Sequence, residues 1–255
     1  MFRATPAILL LALAASAQTP QTVTVMVPIV GSIIGAGDVR WKTEVEIFND
    51  SRDEMFVALR LPTTVDQPTI GFTLGAGRAQ RFADVIGEAF GLDSVLSPLM
   101  VETLGKRSVR VMARVYAVHS EGVTRGEPVP ITSAEAGYPV RTLNGLSFSD
   151  IFRTNVGLVN LGDREATFTL ALQRVAGRNI AVTRLSLGPN SLSQTSIQTL
   201  FPLITKGDDF SVVIETNTPN TYVYASVIEN ATSDARFIPP AIGAPQAQFI
   251  AGDAQ

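Results

Sequence analysis

Cysteine is absent from all 255 residues, and histidine occurs once, as His119. Without cysteine there is no disulfide scaffold, no lipid-anchor thiol and no thiolate metal site. A Ser–His–Asp triad or a zinc centre would have to use His119, and no G-x-S-x-G elbow accompanies it. His119 therefore reads as a solvated histidine at the end of a strand. Charge is also sparse, 17% of residues, and the basic ones are scattered, so the stripe that nucleic acid requires is missing. The glycine-containing GAGD and GAGR are followed by no Lys-Ser/Thr, which excludes a phosphate loop. Asp50, Asp53 and Glu54, and the pair Asp208-Asp209, lack the alternating acid spacing of a calcium loop and read as solvated turn acids. No cofactor and no metal are implied.

What is present is apolar: 45% of residues are hydrophobic, enough for two modest cores. The opening MFRATPAILLLALAASAQ has the form of a secretory signal, with Arg3 before an apolar run and Ala15-Ser16-Ala17 as a small-x-small cleavage site. Residues 1–17 are thus expected to be removed, leaving a chain from Gln18 that is secreted, periplasmic or displayed at the cell surface. The apolar run is too short to span a bilayer and no later segment forms a transmembrane anchor. Export without disulfides points to a bacterial source.

The chain is organised by two copies of one strand, WKTEVEIFN (41–49) and FRTNVGLVN (152–160), separated by 111 residues. At alternate positions Trp41, Thr43, Val45, Ile47 and Asn49 match Phe152, Thr154, Val156, Leu158 and Asn160. Alternation puts these on one, core-facing side of a strand, with Lys42, Glu44 and Glu46 on the other. Trp41, Thr43, Asn49, Phe152, Thr154 and Asn160 are therefore structural residues. The same offset is read without a gap from 28 to 92, pairing Pro28 with Pro139, Leu74 with Leu185 and Gly77 with Gly188. After a one-residue shift, Val111, Ala113 and Val115 meet Val223, Ala225 and Val227. A period this long is a domain duplication.

Short alternating runs separated by Gly, Pro and Asn turns give about seven strands per unit. Each unit adds one short helix, capped by Asp84 in the first copy and by Thr195 in the second. The expected fold is all-β: two tandem antiparallel, immunoglobulin-like β-sandwiches at 23–130 and 138–240, a linker at 131–137 and a tail at 241–255. Pro28 places the first strand at a sheet edge.

FRTNVGLVN and the later YASVIENATSDARFIPP resemble modules of secreted bacterial proteins without an assigned function. Those carry an R-T-N-x-G-L-V-N strand and a closing Y-A-S-V-x-(D/E)-N-x-T-x-D-x-x-x-I-P segment. The likeness is closer in the second unit, since the first lacks the closing pattern. It implies an Ig-like extracellular module and no catalytic residue.

Two surfaces invite a functional reading. Glu44 and Glu46 lie about 7 Å apart on one strand face, within the range of a glycosidase pair, although cross-strand ion pairs with Arg110 and Arg114 are the plainer account. On the last strand of the second unit, Tyr222, Tyr224, Ser226 and Ile228 point away from the core, and Tyr222, Tyr224 and Ile228 form a candidate binding face for a protein or a glycan, although cover by the tail after Ala241 or by the other unit is the plainer account, since exposed apolar patches are limited in size. The expected function is an exported, non-enzymatic structural, adhesive or binding module. A carbohydrate-active enzyme, or its accessory carbohydrate-binding module, is the alternative.

Overall fold

The computed structural model describes residues 22–105, 109–120, 122–133, 139–174 and 178–242. The expected signal segment and the tail beyond Ile242 lie outside the described residues. Among the described residues the chain is all-β, with three antiparallel sheets and three very short helical segments, Ala36–Asp38, Val85–Ala89 and Ile197–Leu200.

Its first half contains β1 (Thr22–Ile34), β2 (Arg40–Phe48), β3 (Met55–Arg60), β4 (Thr69–Leu74), β5 (Ala79–Phe82), β6 (Val95–Leu104) and β7 (Arg110–His119). Three two-residue strands follow: β8 (Gly122–Val123), β9 (Glu127–Pro128) and β10 (Thr132–Ser133). The second half contains β11 (Val140–Phe148), β12 (Phe152–Asn160), β13 (Ala166–Arg174), β14 (Arg178–Leu187), β15 (Ser191–Ser196), β16 (Gly207–Glu215) and β17 (Thr221–Glu229). It closes with β18 (Ala235–Ile238) and β19 (Ala241–Ile242).

Both halves repeat one pairing plan. β4-β3-β6-β1 and β5-β2-β7 in the first correspond to β14-β13-β16-β11 and β15-β12-β17 in the second. Inward residues such as Val45, Ile47, Leu59 and Leu99, or Phe168, Leu170, Phe210 and Val212, are fully buried. Each contributes about 1.5–3 kcal/mol by leaving water.

The copies do not align at one offset. Leu59 faces Val101 and Leu170 faces Ile214, so β3 and β13 differ by 111 and β6 and β16 by 113. Val27 faces Leu99 and Leu143 faces Val212, which puts β1 and β11 at 116. Pro28 is therefore equivalent to Asn144, not Pro139. It lies in a bulge between Val27 and Val30, not at an edge, and the bulge removes the need for its missing N–H. The last strands differ by 112, as expected: Ile47 faces Val111 and Leu158 faces Val223.

The extra residues before β2 have a structural consequence. Ser32–Ile34 at the end of β1 pair with Lys42–Arg40 of β2, merging both layers of the first half into one curled, ten-stranded sheet. In the second half a tight turn replaces that corner, with the Ser149 amide donating to Phe152 O at 2.8 Å. Its two sheets stay separate.

Two buried polar residues per copy tie the layers together. Thr43 Oγ1 accepts from the Gly31 amide at 2.9 Å and donates to Gly31 O at 3.3 Å. Thr154 does the same with Ser147, at 3.1 and 2.7 Å. Asn49 Nδ2 donates to the carbonyls of Asp53, Leu74 and Gly75 at 2.8, 2.9 and 3.2 Å. Asn160 Nδ2 donates to those of Arg164, Leu187 and Gly188 at 2.8, 3.1 and 2.8 Å. These bonds also correct the alignment: Leu74 corresponds to Leu187 rather than Leu185, and Gly188 corresponds to Gly75 rather than Gly77.

Asp84 caps the short helix Val85–Ala89 by accepting from the Gly87 amide at 3.2 Å. In the second copy the cap is Ser196, accepting from the Thr199 amide at 3.1 Å, and not Thr195, which pairs with Val156 inside β15.

Residues 131–133 of the expected linker belong instead to a segment that closes the first unit. β9 pairs with β7 and β10 pairs with β1, so residues 127–133 cross from one layer to the other with Val129 buried between them. β18 on β17 and β19 on β11 make the same crossing in the second half. A closing segment is thus present in both copies, EPVPITS and RFIPPAI, although only the second carries the sequence pattern. Residues 134–138 lie outside the described residues.

Thr154→Val keeps the shape but leaves both main-chain groups of Ser147 without their partner, and is expected to cost about 1–3 kcal/mol. Asn160→Asp sets an acceptor-only carboxylate against three carbonyl oxygens and should cost about 3 kcal/mol or more. Urea melts measure both; an unchanged midpoint in Asn160→Asp would refute the amide's role.

Candidate functional site

Alternation along β12 sends Arg153, Asn155 and Gly157 to the side opposite the core residues Val156 and Leu158. The register places Asn155 between Ser196 of β15 and Ser226 of β17, with Phe237 of β18 next in the row. Gly157 lies between Gln194 and Tyr224, and Arg153 faces Ile228. Four strands thereby present a floor of mixed polar and apolar character.

Gly157 is required by its neighbour. A Cβ there would stand 2.1 Å from Tyr224 Cζ, because the phenol ring lies flat over the glycine. Across it Tyr224 Oη donates to Gln194 Oε1 at 2.7 Å, and the ring stacks on Phe237 at 5.4 Å and 13°.

This floor is not open. Tyr222, Tyr224 and Ile228, the candidate binding face, are 6%, 1% and 6% exposed, so the plainer account of a covered face holds. Tyr222 and Tyr224 join the first half's apolar core, and Ile228 packs with Val39, Trp41 and Ala117. They do point away from their own core, but the other half of the chain covers them. Burial pushes the Tyr222 phenol up to about 12 and that of Tyr224 well above the usual phenol range. Trp41 is 9% exposed and sits in this junction rather than in the first half's main core. Phe152, its counterpart, is half-buried against the second core.

Between floor and cover lies a cavity of about 370 Å³. Ile29, Ile33, Leu96, Trp41 and Val115 give it an apolar roof, which also carries one carboxylate, Glu127. Arg153, Asn155, Gln194 and Ser226 line the floor. Arg153 Nη1 donates to Asn230 Oδ1 at 2.9 Å, and burial lowers the guanidinium's pKa. The side chains of Asn155 and Ser226 make no hydrogen bond among the described residues.

The carboxylate pair on β2 is engaged differently. Glu44 is held by Arg81 Nε at 2.7 Å and by Arg114 Nη2, and these guanidinium bonds keep its carboxyl below the usual carboxylate range. Arg110 pairs with Asp50 at 2.6 Å rather than with Glu46, whose cross-strand neighbours are Met112 and Arg81. Lys42 Nζ meets Asp84 at 2.9 Å, chiefly a hydrogen bond to the carboxylate that raises the lysine's pKa. His119 is half-buried, not solvated: its Nε2 is screened from solvent without a hydrogen-bond partner. Among the described residues no cluster of three or more His, Asp or Glu could hold a metal ion.

No family model matches the chain, and no curated protein matches it. A solved structure of Bacteroides uniformis β-glucuronidase 2, covalently bound to cyclophellitol-6-carboxylate aziridine, aligns at 9% identity over 80% of this chain and 25% of that one. Its TM-score is 0.17, a likeness that carries no argument, and the chain spans about a quarter of that protein's length.

The Glu44 clamp makes a pH prediction. A depressed carboxyl pKa stabilises the fold above the unfolded value and loses that contribution as pH falls through the folded value. Glu44→Gln should therefore lower stability by under about 1 kcal/mol at pH 7. The difference from the parent chain should vanish at acid pH, and chemical melts at both pH values measure it. A difference independent of pH would refute the clamp.

Proposed function

We propose that the protein is an exported, non-enzymatic module with a structural or adhesive role, made of two tandem Ig-like sandwiches that behave as one rigid body. Its bounds follow the closing segments, so residues 131–133 belong to the first unit and 241–242 to the second. The sandwich is Ig-like in its layers, with the terminal strands exchanged. In immunoglobulin sheets the first strand lies beside the second and the last beside the sixth; here β1 lies beside β6, meeting β2 only through Ser32–Ile34, and β7 lies beside β2.

The observation that carries this reading is the burial of Tyr222, Tyr224 and Ile228 against the first half. A face that would be sticky if open holds the two units in one orientation, as a spacer or a display scaffold requires. The Glu44 clamp supports a non-enzymatic role, because a carboxylate between two guanidiniums is neither an acid at neutral pH nor a free base. The secretory opening of the chain and the likeness of FRTNVGLVN to modules of secreted bacterial proteins support export. A protein or glycan partner would then meet the outer surfaces and sheet edges, not the tyrosines.

Trp41, the only tryptophan, reports on the junction. In a urea melt its fluorescence and the far-UV circular dichroism should change together. Ile228→Asp puts a carboxylate against Trp41 and should split the curves into two transitions, with red-shifted emission before the sheets melt. Superimposable curves in that variant would sink the rigid-pair reading. Export is tested on the full chain in a bacterial host: a mature species beginning at Gln18 outside the cytoplasm is expected, and an intact cytosolic chain refutes it.

A further inference from the structure

We propose that the cavity between the halves is a binding site for a small amphipathic carboxylate, its apolar body under the roof and its carboxylate on the floor. Floor and roof differ in chemistry. Arg153, Asn155, Gln194 and Ser226 all present donors, and the Gln194 acceptor oxygen is already taken by Tyr224. Asn155 and Ser226 are cross-strand neighbours, and neither side chain has a hydrogen-bond partner among the described residues. Arg153 bonds an amide oxygen and, among the described residues, no carboxylate, so its charge is unneutralised on the floor. A group rich in acceptors and negatively charged satisfies this set, and a carboxylate offers about four lone-pair sites.

The roof holds the other end. Ile29, Ile33, Leu96, Trp41 and Val115 leave an apolar volume for the ligand's body. The total volume of about 370 Å³ is at the small end for ligand pockets, room for a body of roughly ten heavy atoms. The paired β2 face of the first half cannot do this. There Lys42 and Glu44 already pair with Asp84, Arg81 and Arg114, and the surface is not roofed by another unit.

Cyclohexylpropionate and its matched alcohol, 3-cyclohexylpropan-1-ol, are suitable probes because neither absorbs where tryptophan is excited. Titrated into the mature chain, cyclohexylpropionate should change Trp41 emission saturably. The alcohol should bind about tenfold more weakly, the loss of one charge-assisted contact. Arg153→Met should remove that difference, weakening the acid about tenfold and leaving the alcohol unchanged. Ser226→Leu should fill the cavity and abolish both signals. If that variant does not fold, Asn155→Leu serves the same purpose, with its urea midpoint as the control. No saturable change with either probe, in a chain that still melts in one step, overturns the site while leaving the rigid pair intact. Equal affinities for acid and alcohol, or an Arg153→Met chain that binds the acid as before, overturns the carboxylate assignment.

Discussion

Two-faced burial of β12 is the constraint on which the rest depends. Val156 and Leu158 close the second half's core, while Gly157 and its neighbours receive the Tyr224 ring and the first half's cover. A strand buried on both sides has no solvent face to absorb change. Thr154 and Asn160 satisfy otherwise stranded main-chain groups at its two ends, because an unmet buried polar group costs more than the bond itself contributes. The nine residues are thereby assigned one by one: inward, outward, stitch or clamp.

The same strand in the first half shows how duplicated units diverge without changing fold. β2 keeps the inward set and both tethers, but its outward set is Lys42, Glu44 and Glu46, tied into ion pairs with Asp84, Arg81 and Arg114. An ion-paired, hydrated face resists burial by another apolar sheet, since desolvating it is costly. The second half's outward face is nearly uncharged and carries tyrosine, isoleucine and glycine. The apolar face is the covered one in this chain, and the ion-paired face is not.

The closing segments solve a problem common to both halves: a seam between first and last strands left open to water. A short proline-containing stretch crosses it, pairing on one side with the last strand and on the other with the first. Val129 is buried in the gap, and Ile238 packs against the second core. Pro130, Pro239 and Pro240 lie between the short paired pieces, where no main-chain donor is needed.

Period-two alternation, the duplicated strand and the one-residue shift at the last strand were legible in the residues alone, because inward positions must be apolar in both copies. So was the identity of the stitches, Thr43 with Thr154 and Asn49 with Asn160, although their partners were not. Alternation names two faces but does not say which is wet, so the size of an apolar patch pointed to a cover over Tyr222, Tyr224 and Ile228, and only the tertiary structure identified that cover as the first half. Insertions were equally hidden. Offsets of 116, 111, 113 and 112 follow from which strands hydrogen-bond across the sheet, and loop residues that absorb the difference carry no pattern. The cap moved from Thr195 to Ser196 for that reason, and a stretch read as a linker became a strand crossing, because strand pairing is a long-range contact that local composition does not encode.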